Sequence, residues 1–288
     1  MPLGRLFDIA YRRAPVKRFL WRNWYEFLAR WHRDRHWTFM NYGYRPPQGT
    51  APLALALAPE DEPDRSCIQL YHLVASAVDL SGREVLEVGS GRGGGASFVA
   101  RTLRPRRVVG VDVSPRTVAL CRARYAVPGL SFEVGNAEQL GFADASFDAV
   151  LNIESSHCYG DVGAFVREVR RVLRPDGHFL YADFRSRDEL AAWRAGLLAA
   201  GLRLLVERDI TPGVVAALEA DDERKRGLIE AQVARPLRRA VGRFAALRGT
   251  ALYNEFRSGT LVYRAFVLQN GAAAAGALRA PRAEDGTA

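Results

Sequence analysis

The stretch "LEVGSGRGGGAS", residues 86–97, decides the fold. It joins a β-branched run, "REVLEVG", to small residues that open a helix, and glycines at such a turn let the backbone come close to a ligand. Gly89, Gly91 and Gly94 fit a dinucleotide-binding turn, whose amides and helix N-terminus hold a pyrophosphate. Glu87 argues for a different ligand. It stands two residues before the first glycine, at the carboxyl end of the strand and facing the same crevice, where a carboxylate repels a pyrophosphate and attracts a cation.

Outward from that turn, strands alternate with helical stretches. The pattern predicts strands at 85–89, 107–112, 131–134, 147–153, 178–183, 202–208 and 260–268. Helices are predicted at 65–78, 93–103, 115–125, 161–173 and 187–200, with a long arginine-rich helical region over 213–247. Such alternation implies an α/β, doubly wound, mostly parallel sheet that binds its ligand at the carboxyl ends of the strands.

A cation-bearing ligand without phosphate suits Glu87-x-Gly89-x-Gly91-x-Gly93, and S-adenosylmethionine (SAM) carries both an ammonium and a sulfonium. Here the chain resembles the class I SAM-dependent methyltransferases, whose seven-stranded Rossmann-like fold it would share. The other family motifs follow in order. Asp112 ends "RRVVGVD", placed to accept both hydroxyls of a ribose, although it could also cap the helix begun by "SPRTVALCRARY", where Ser114 is the better cap. "FEVGNAEQLGFADASFDAVLNIES" resembles the segment with the third and fourth strands, and "REVRRVLRPDGHFLYADF" resembles the helix, Pro-Asp-Gly turn and fifth strand. Asn136 stands where the family usually has an aspartate that accepts from the adenine amino group, and an amide oxygen can still accept that bond. The resemblance places Val113, Ala137 and Asn152 in the same cofactor site. "FMNYGYRPP" resembles a segment whose aromatic residues, here Tyr42 and Tyr44, close over the methionine end of the cofactor, with a tight turn at Gly43 among core aromatics as the competing reading.

The segment after strand four is "NIESSHCYGD", without the Asn-Pro-Pro-Tyr type of motif used on nucleobases and amides. It puts His157 just beyond strand four, and "LYADF" puts Asp183 at the end of strand five. If those strands are neighbours, the carboxylate can orient the imidazole as a base for a hydroxyl proton. Glu154 is the competing base or a cofactor contact, and Cys158 is read as packing. "FMNYGY", "CIQLYHLVASAVDL", "ESSHCY" and "VLRPDGHFLYADFR" together resemble the actinobacterial phthiotriol dimycocerosate and glycopeptidolipid methyltransferases, and natural-product O-methyltransferases. That resemblance implies transfer to a hydroxyl of an apolar metabolite, polyketide or lipid. C-methylation of an alkene or enol in the same cleft, and a non-catalytic SAM-binding or membrane-associated scaffold, are the alternatives.

At 288 residues and 48% hydrophobic, the chain can bury a sizeable core, read here as one α/β domain over 65–270. Residues 1–64 read as a basic, aromatic helical lid and a proline-rich linker, and 271–288 as a low-complexity, disordered tail. Val16, Phe19, Leu20, Trp24, Phe27, Leu28 and Trp31 recur at helical spacing among arginines, which suits a lid over an apolar substrate or peripheral contact with a membrane. The net charge of +9 is concentrated there and rests almost wholly on arginine, so it reads as a solvated surface and not a nucleic-acid site. Cys67, Cys121 and Cys158 form no paired or zinc-ligand spacing, and no compact acidic or histidine cluster signals a metal. With neither a run of about 18 apolar residues nor a signal peptide, the expectation is a soluble, cytoplasmic enzyme that uses SAM and no metal, with self-association left open.

Overall fold

Strand β1 (Glu84–Val88) is buried along its whole length, as a strand must be when helices cover both faces of its sheet. The computed structural model describes residues 37–47, 49, 50, 53 and 55–271. The helix expected within residues 16–31 and the tail from 272 onward lie outside the described residues.

Strand β1 joins β2 (Arg107–Asp112), β3 (Leu130–Val134), β4 (Phe147–Ile153), β5 (Leu173–Ser186), β6 (Leu202–Asp209) and β7 (Leu261–Asn270) in one sheet of order β3-β2-β1-β4-β5-β7-β6. The first five strands of that order are parallel, and β7 runs antiparallel between β5 and β6. This is the expected doubly wound, mostly parallel seven-stranded sheet. Its order reverses between β1 and β4, which opens a crevice at the carboxyl ends of those strands.

Side chains alternate between the two faces. Val85, Leu151 and Leu180 join a core with α1 (Arg65–Ala75), α2 (Gly94–Thr102) and α3 (Pro115–Arg124). Leu86, Val150 and Phe179 join a second core with α4 (Val162–Val172) and α5 (Leu190–Ala199). In α4 the apolar positions Phe165, Val166, Val169 and Val172 fall on one helical stripe and are all buried, each burial being worth roughly 1.5–3 kcal/mol. Ser114 caps α3 as expected, its Oγ accepting from the Thr117 amide.

The arginine-rich helical region expected over 213–247 consists of three helices, α6 (Thr211–Ala220), α7 (Asp222–Gln232) and α8 (Arg235–Phe244). Pro236 explains the second break, because a proline starts a helix far more readily than it continues one. Helix α9 (Ala251–Ser258) was not anticipated, although Thr250 caps its start and Gly259, at φ 74°, ends it. The Pro-Asp-Gly turn lies inside β5 as a bulge, between the pairs Phe147–Leu173 and Ala149–His178.

Candidate active site

The crevice at the strand reversal holds a cleft whose floor is the turn after β1 and whose far wall is the end of β2. Gly89, Gly91, Asp112, Val113, Asn136, Ala137 and Glu154 line it. Gly89 lies at φ 76°, and a Cβ there would come within 1.9 Å of Ser155 Oγ. Gly91, at φ 50°, would meet only Met40 Sδ, at 3.6 Å, so its backbone faces open space. Gly93 lies outside the cleft lining and caps α2 at φ 80°, packed against Tyr125, Phe132 and Cys121. Gly95, which sequence reasoning missed, has no room for a Cβ because the Tyr71 ring lies 1.9 Å from that position.

Asp112 sits at the cleft with Oδ2 accepting from the Gly91 amide at 3.0 Å and Oδ1 from the Ser114 amide at 2.9 Å. A carboxylate has lone pairs beyond those two, so it can still receive hydroxyls. Asn136 turns its Oδ1 onto the Glu138 amide at 3.1 Å, which fixes the local turn beside Ala137.

Glu87 was expected in the crevice but does not line it. Alternation along β1 puts it on the face of Val85, towards α1, where Oε1 accepts from the Tyr71 hydroxyl at 2.5 Å. Tyr71 itself lines the cleft. Burial pushes the Glu87 carboxyl up to about 8, partly offset by the Tyr71 hydrogen bond. Asn152 is likewise beneath the cleft, its Nδ2 donating to the Val88 carbonyl at 2.8 Å and to the Tyr159 hydroxyl at 2.9 Å.

The cleft suits the cofactor that the family resemblance implies. On the cleft lining, Ser90 Oγ and Asn41 Nδ2 are buried without a hydrogen-bond partner, and buried polar atoms of this kind are rare unless a ligand or water completes them. A ligand with a ribose, an ammonium and a carboxylate offers groups of the required chemistry.

Tyr42 and Tyr44 do not line that cleft. Tyr44 packs against Gly213 of α6, where a Cβ would lie 2.1 Å from its ring. Tyr42 packs against Phe184 and Phe256, and its hydroxyl donates to the Phe244 carbonyl at 3.2 Å. The residues of this segment that do reach the cleft are Phe39, Met40 and Asn41.

Met40 and Glu154 are also on the wall of a neighbouring cavity of about 710 Å³, together with Tyr42, His157, Phe184, Arg185, Leu252 and Leu261. The two spaces thus share a boundary. Strands β4 and β5 are paired, with Ile153 opposite Ala182, and this brings His157, in a 3-10 turn over Ser156–Cys158, onto Asp183. His157 Nδ1 lies 2.9 Å from Asp183 Oδ1, and the His157 amide donates to Oδ2 at 2.9 Å. The imidazole also packs against the Phe184 ring, tilted by 35°, with centroids 4.5 Å apart.

Burial alone would lower the His157 pKa, but Cys158 and the Asp183 carboxylate outweigh it and hold the ring above the ordinary histidine range. Asp183 is fully buried, yet its cationic and hydrogen-bonding neighbours, His157 foremost, keep it below the ordinary carboxylate range. Glu154 has a left-handed backbone at φ 51°, and its Oε2 accepts from the Tyr42 amide at 2.8 Å and the Tyr263 hydroxyl at 3.0 Å. Burial pushes its carboxyl up to about 8, which leaves it mostly protonated at neutral pH.

Arg185 was not singled out from sequence. It follows Asp183 by two residues on β5, hence on the same face of the strand, and "ADFR" carried that signal.

Residues 86–181 match the profile of a family described as a methyltransferase domain. The chain is 42% identical over 247 residues to a phthiotriol/phenolphthiotriol dimycocerosates methyltransferase of Mycobacterium tuberculosis, covering 86% of this chain and 90% of that one. It is 39% identical to a fatty-acid O-methyltransferase of Mycolicibacterium smegmatis, over 84% and 86% of the two chains. Among solved structures, a putative sarcosine dimethylglycine methyltransferase from Galdieria sulphuraria superimposes with a TM-score of 0.65 at 14% identity, over 81% of this chain and 94% of that one. Geranyl diphosphate C-methyltransferase from Streptomyces coelicolor does so with a TM-score of 0.59 at 17% identity, over 85% and 97%. At these identities the structures speak for the fold alone.

Proposed function

The chain belongs to the class I SAM-dependent methyltransferases, and from that premise we propose that it methylates a hydroxyl of a long-chain lipid or polyketide. One observation carries the reading: the His157–Asp183 pair stands on the wall of a large cavity that shares Met40 and Glu154 with the cofactor cleft. The named relatives, which act on dimycocerosates and fatty acids, support an acceptor of this class.

SAM supplies an electrophilic methyl group on its sulfonium. Asp112 would take the ribose hydroxyls, Val113, Asn136 and Ala137 would border the adenine, and Glu87, acting through Tyr71, would favour the positive amino-acid end. Gly89 and Gly91 keep the floor low enough for that ligand, Gly93 starts the helix beneath it, and Asn152 braces β1 against β4. On the acceptor side, Asp183 accepts from Nδ1–H of His157 and orients the ring to take the proton that leaves the acceptor hydroxyl. Phe184, Leu252 and Leu261 line the cavity and would contact the apolar body of the acceptor. Glu154, committed to the Tyr42 amide and the Tyr263 hydroxyl, positions the segment between the two spaces rather than serving as the base.

The test is incubation with methyl-labelled SAM and a series of long-chain 1-alkanols and alkylphenols, with products read by mass spectrometry. A methyl ether and S-adenosylhomocysteine are expected. Label on carbon would move the assignment to C-methylation, and no transfer to any of these acceptors would overturn it.

A further inference from the structure

Asp183 does not serve His157 alone. Its Oδ1 accepts from His157 Nδ1 and from the Phe184 amide, while Oδ2 accepts from the His157 amide and from Ser156 Oγ at 2.6 Å. Arg185 Nη1 lies 3.4 Å from Oδ2, and Arg185 Nη2 donates to Ser156 Oγ at 2.8 Å. The guanidinium is fixed from two further sides, donating to the Phe184 carbonyl at 2.6 Å and lying over the Trp193 ring at 4.8 Å. Its side chain is only 13% exposed. A cation held so firmly against a buried carboxylate costs desolvation that the fold has no evident need to incur.

We infer that Arg185 is a positioning residue that sets the proton affinity of His157 by sharing the Asp183 carboxylate. An unshared carboxylate beside an imidazole stabilises the imidazolium and makes the ring slow to give up its proton. A second cation on that carboxylate draws off part of its charge, so the neutral imidazole, the form able to accept a hydroxyl proton, is restored at lower pH. The planar fork also holds Ser156, and through it the turn that carries His157. The other groups facing the pair do not duplicate this effect. Glu154 and Cys158 flank the ring from its own loop, and neither is cationic. Tyr42 and Tyr263 approach from the N-terminal segment and from β7, both held neutral by burial, and Tyr181 and Glu189 face the guanidinium.

The inference rests on His157 being the base, and its test separates the two claims. The ring Hε1 signal of His157, assigned by its loss in His157→Gln, is titrated by NMR in the full chain saturated with S-adenosylhomocysteine. Arg185→Met should raise the His157 pKa by about one unit. Arg185→Lys should fall between wild type and Arg185→Met, since an ammonium keeps the charge without the fork. In parallel, the rising limb of the pH–rate profile with a 1-alkanol acceptor should move alkaline by the same amount, with the alkaline plateau retained. An unchanged or lowered pKa in Arg185→Met overturns the inference. If that variant does not fold, an unchanged pKa in Arg185→Lys does so. A purely structural role would depress the plateau and leave pKa and limb in place, which also overturns it. A limb that persists in His157→Ala instead removes His157 as the base, whatever the NMR titration shows for Arg185.

Discussion

The cofactor cleft and the cavity proposed for the acceptor share a wall at Met40 and Glu154 but are built in different ways. The floor and far wall of the cleft are turns at strand ends: glycines 89 and 91, the Asp112 turn and the Asn136 turn. The cavity draws on distant segments, joined by the Tyr42 amide and the Tyr263 hydroxyl to the Glu154 carboxyl and by His157 to Asp183. A backbone site can serve one ligand unchanged through wide side-chain drift, whereas a side-chain site can be refitted to a new acceptor. Binding of the cofactor and turnover of the acceptor should therefore respond separately to mutation.

The largest effect expected is at His157. His157→Ala should lower turnover by roughly 100-fold or more while S-adenosylhomocysteine affinity, measured by calorimetry, stays nearly intact. Asp183→Asn should act in the same direction, and the double variant should be little worse than the worse single one. With the neutral ring proposed as the working form and its pKa raised to about 10, activity should climb with pH through the alkaline range towards that value. A loss confined to cofactor binding would merge the two regions that the account keeps apart.

Glu87→Gln should do the reverse, weakening S-adenosylhomocysteine by about tenfold with a smaller change in the chemical step. With the carboxyl pushed up to about 8, the wild-type site gains its negative charge only as pH rises through that value. Affinity should therefore increase between pH 6 and 8 in the wild type and stay flat in Glu87→Gln. Equal pH dependence in the two proteins would deny Glu87 its part.

The smallest effect is expected at the shared edge. Tyr42→Phe removes one hydrogen bond to the Phe244 carbonyl, worth about 1 kcal/mol, so KM for a long-chain acceptor should rise by about fivefold at most. Calorimetry with S-adenosylhomocysteine should show no change. A weakened cofactor would mean that Tyr42 supports the cleft after all.

The same contrast explains what could be read before the fold was known. The turn at Gly89 to Gly93, the carboxylate of Asp112 and the Ser114 cap were legible because short-range backbone requirements leave few residue choices. The meeting of His157 and Asp183 was legible because the family's strand order makes β4 and β5 neighbours. The orientation of Glu87 was open to inspection through period-two alternation with Val85, but the pull of the glycine turn outweighed it. The role of the "NYGY" segment was not, since Tyr42 and Tyr44 find their partners at Phe244 and Gly213, about 200 and 170 residues away. Helix α9 escaped because eight residues between a cap and a glycine carry too little periodicity to register.

The central claim is that the cleft aims its methyl group into the cavity where His157 stands. A crystal structure of the complex with S-adenosylhomocysteine tests it most directly. The account predicts ribose hydroxyls on Asp112 and the sulfur at the Met40–Glu154 boundary, facing the His157 side. A ribose away from Asp112, or a sulfur turned towards Val113 and Thr117, would contradict it.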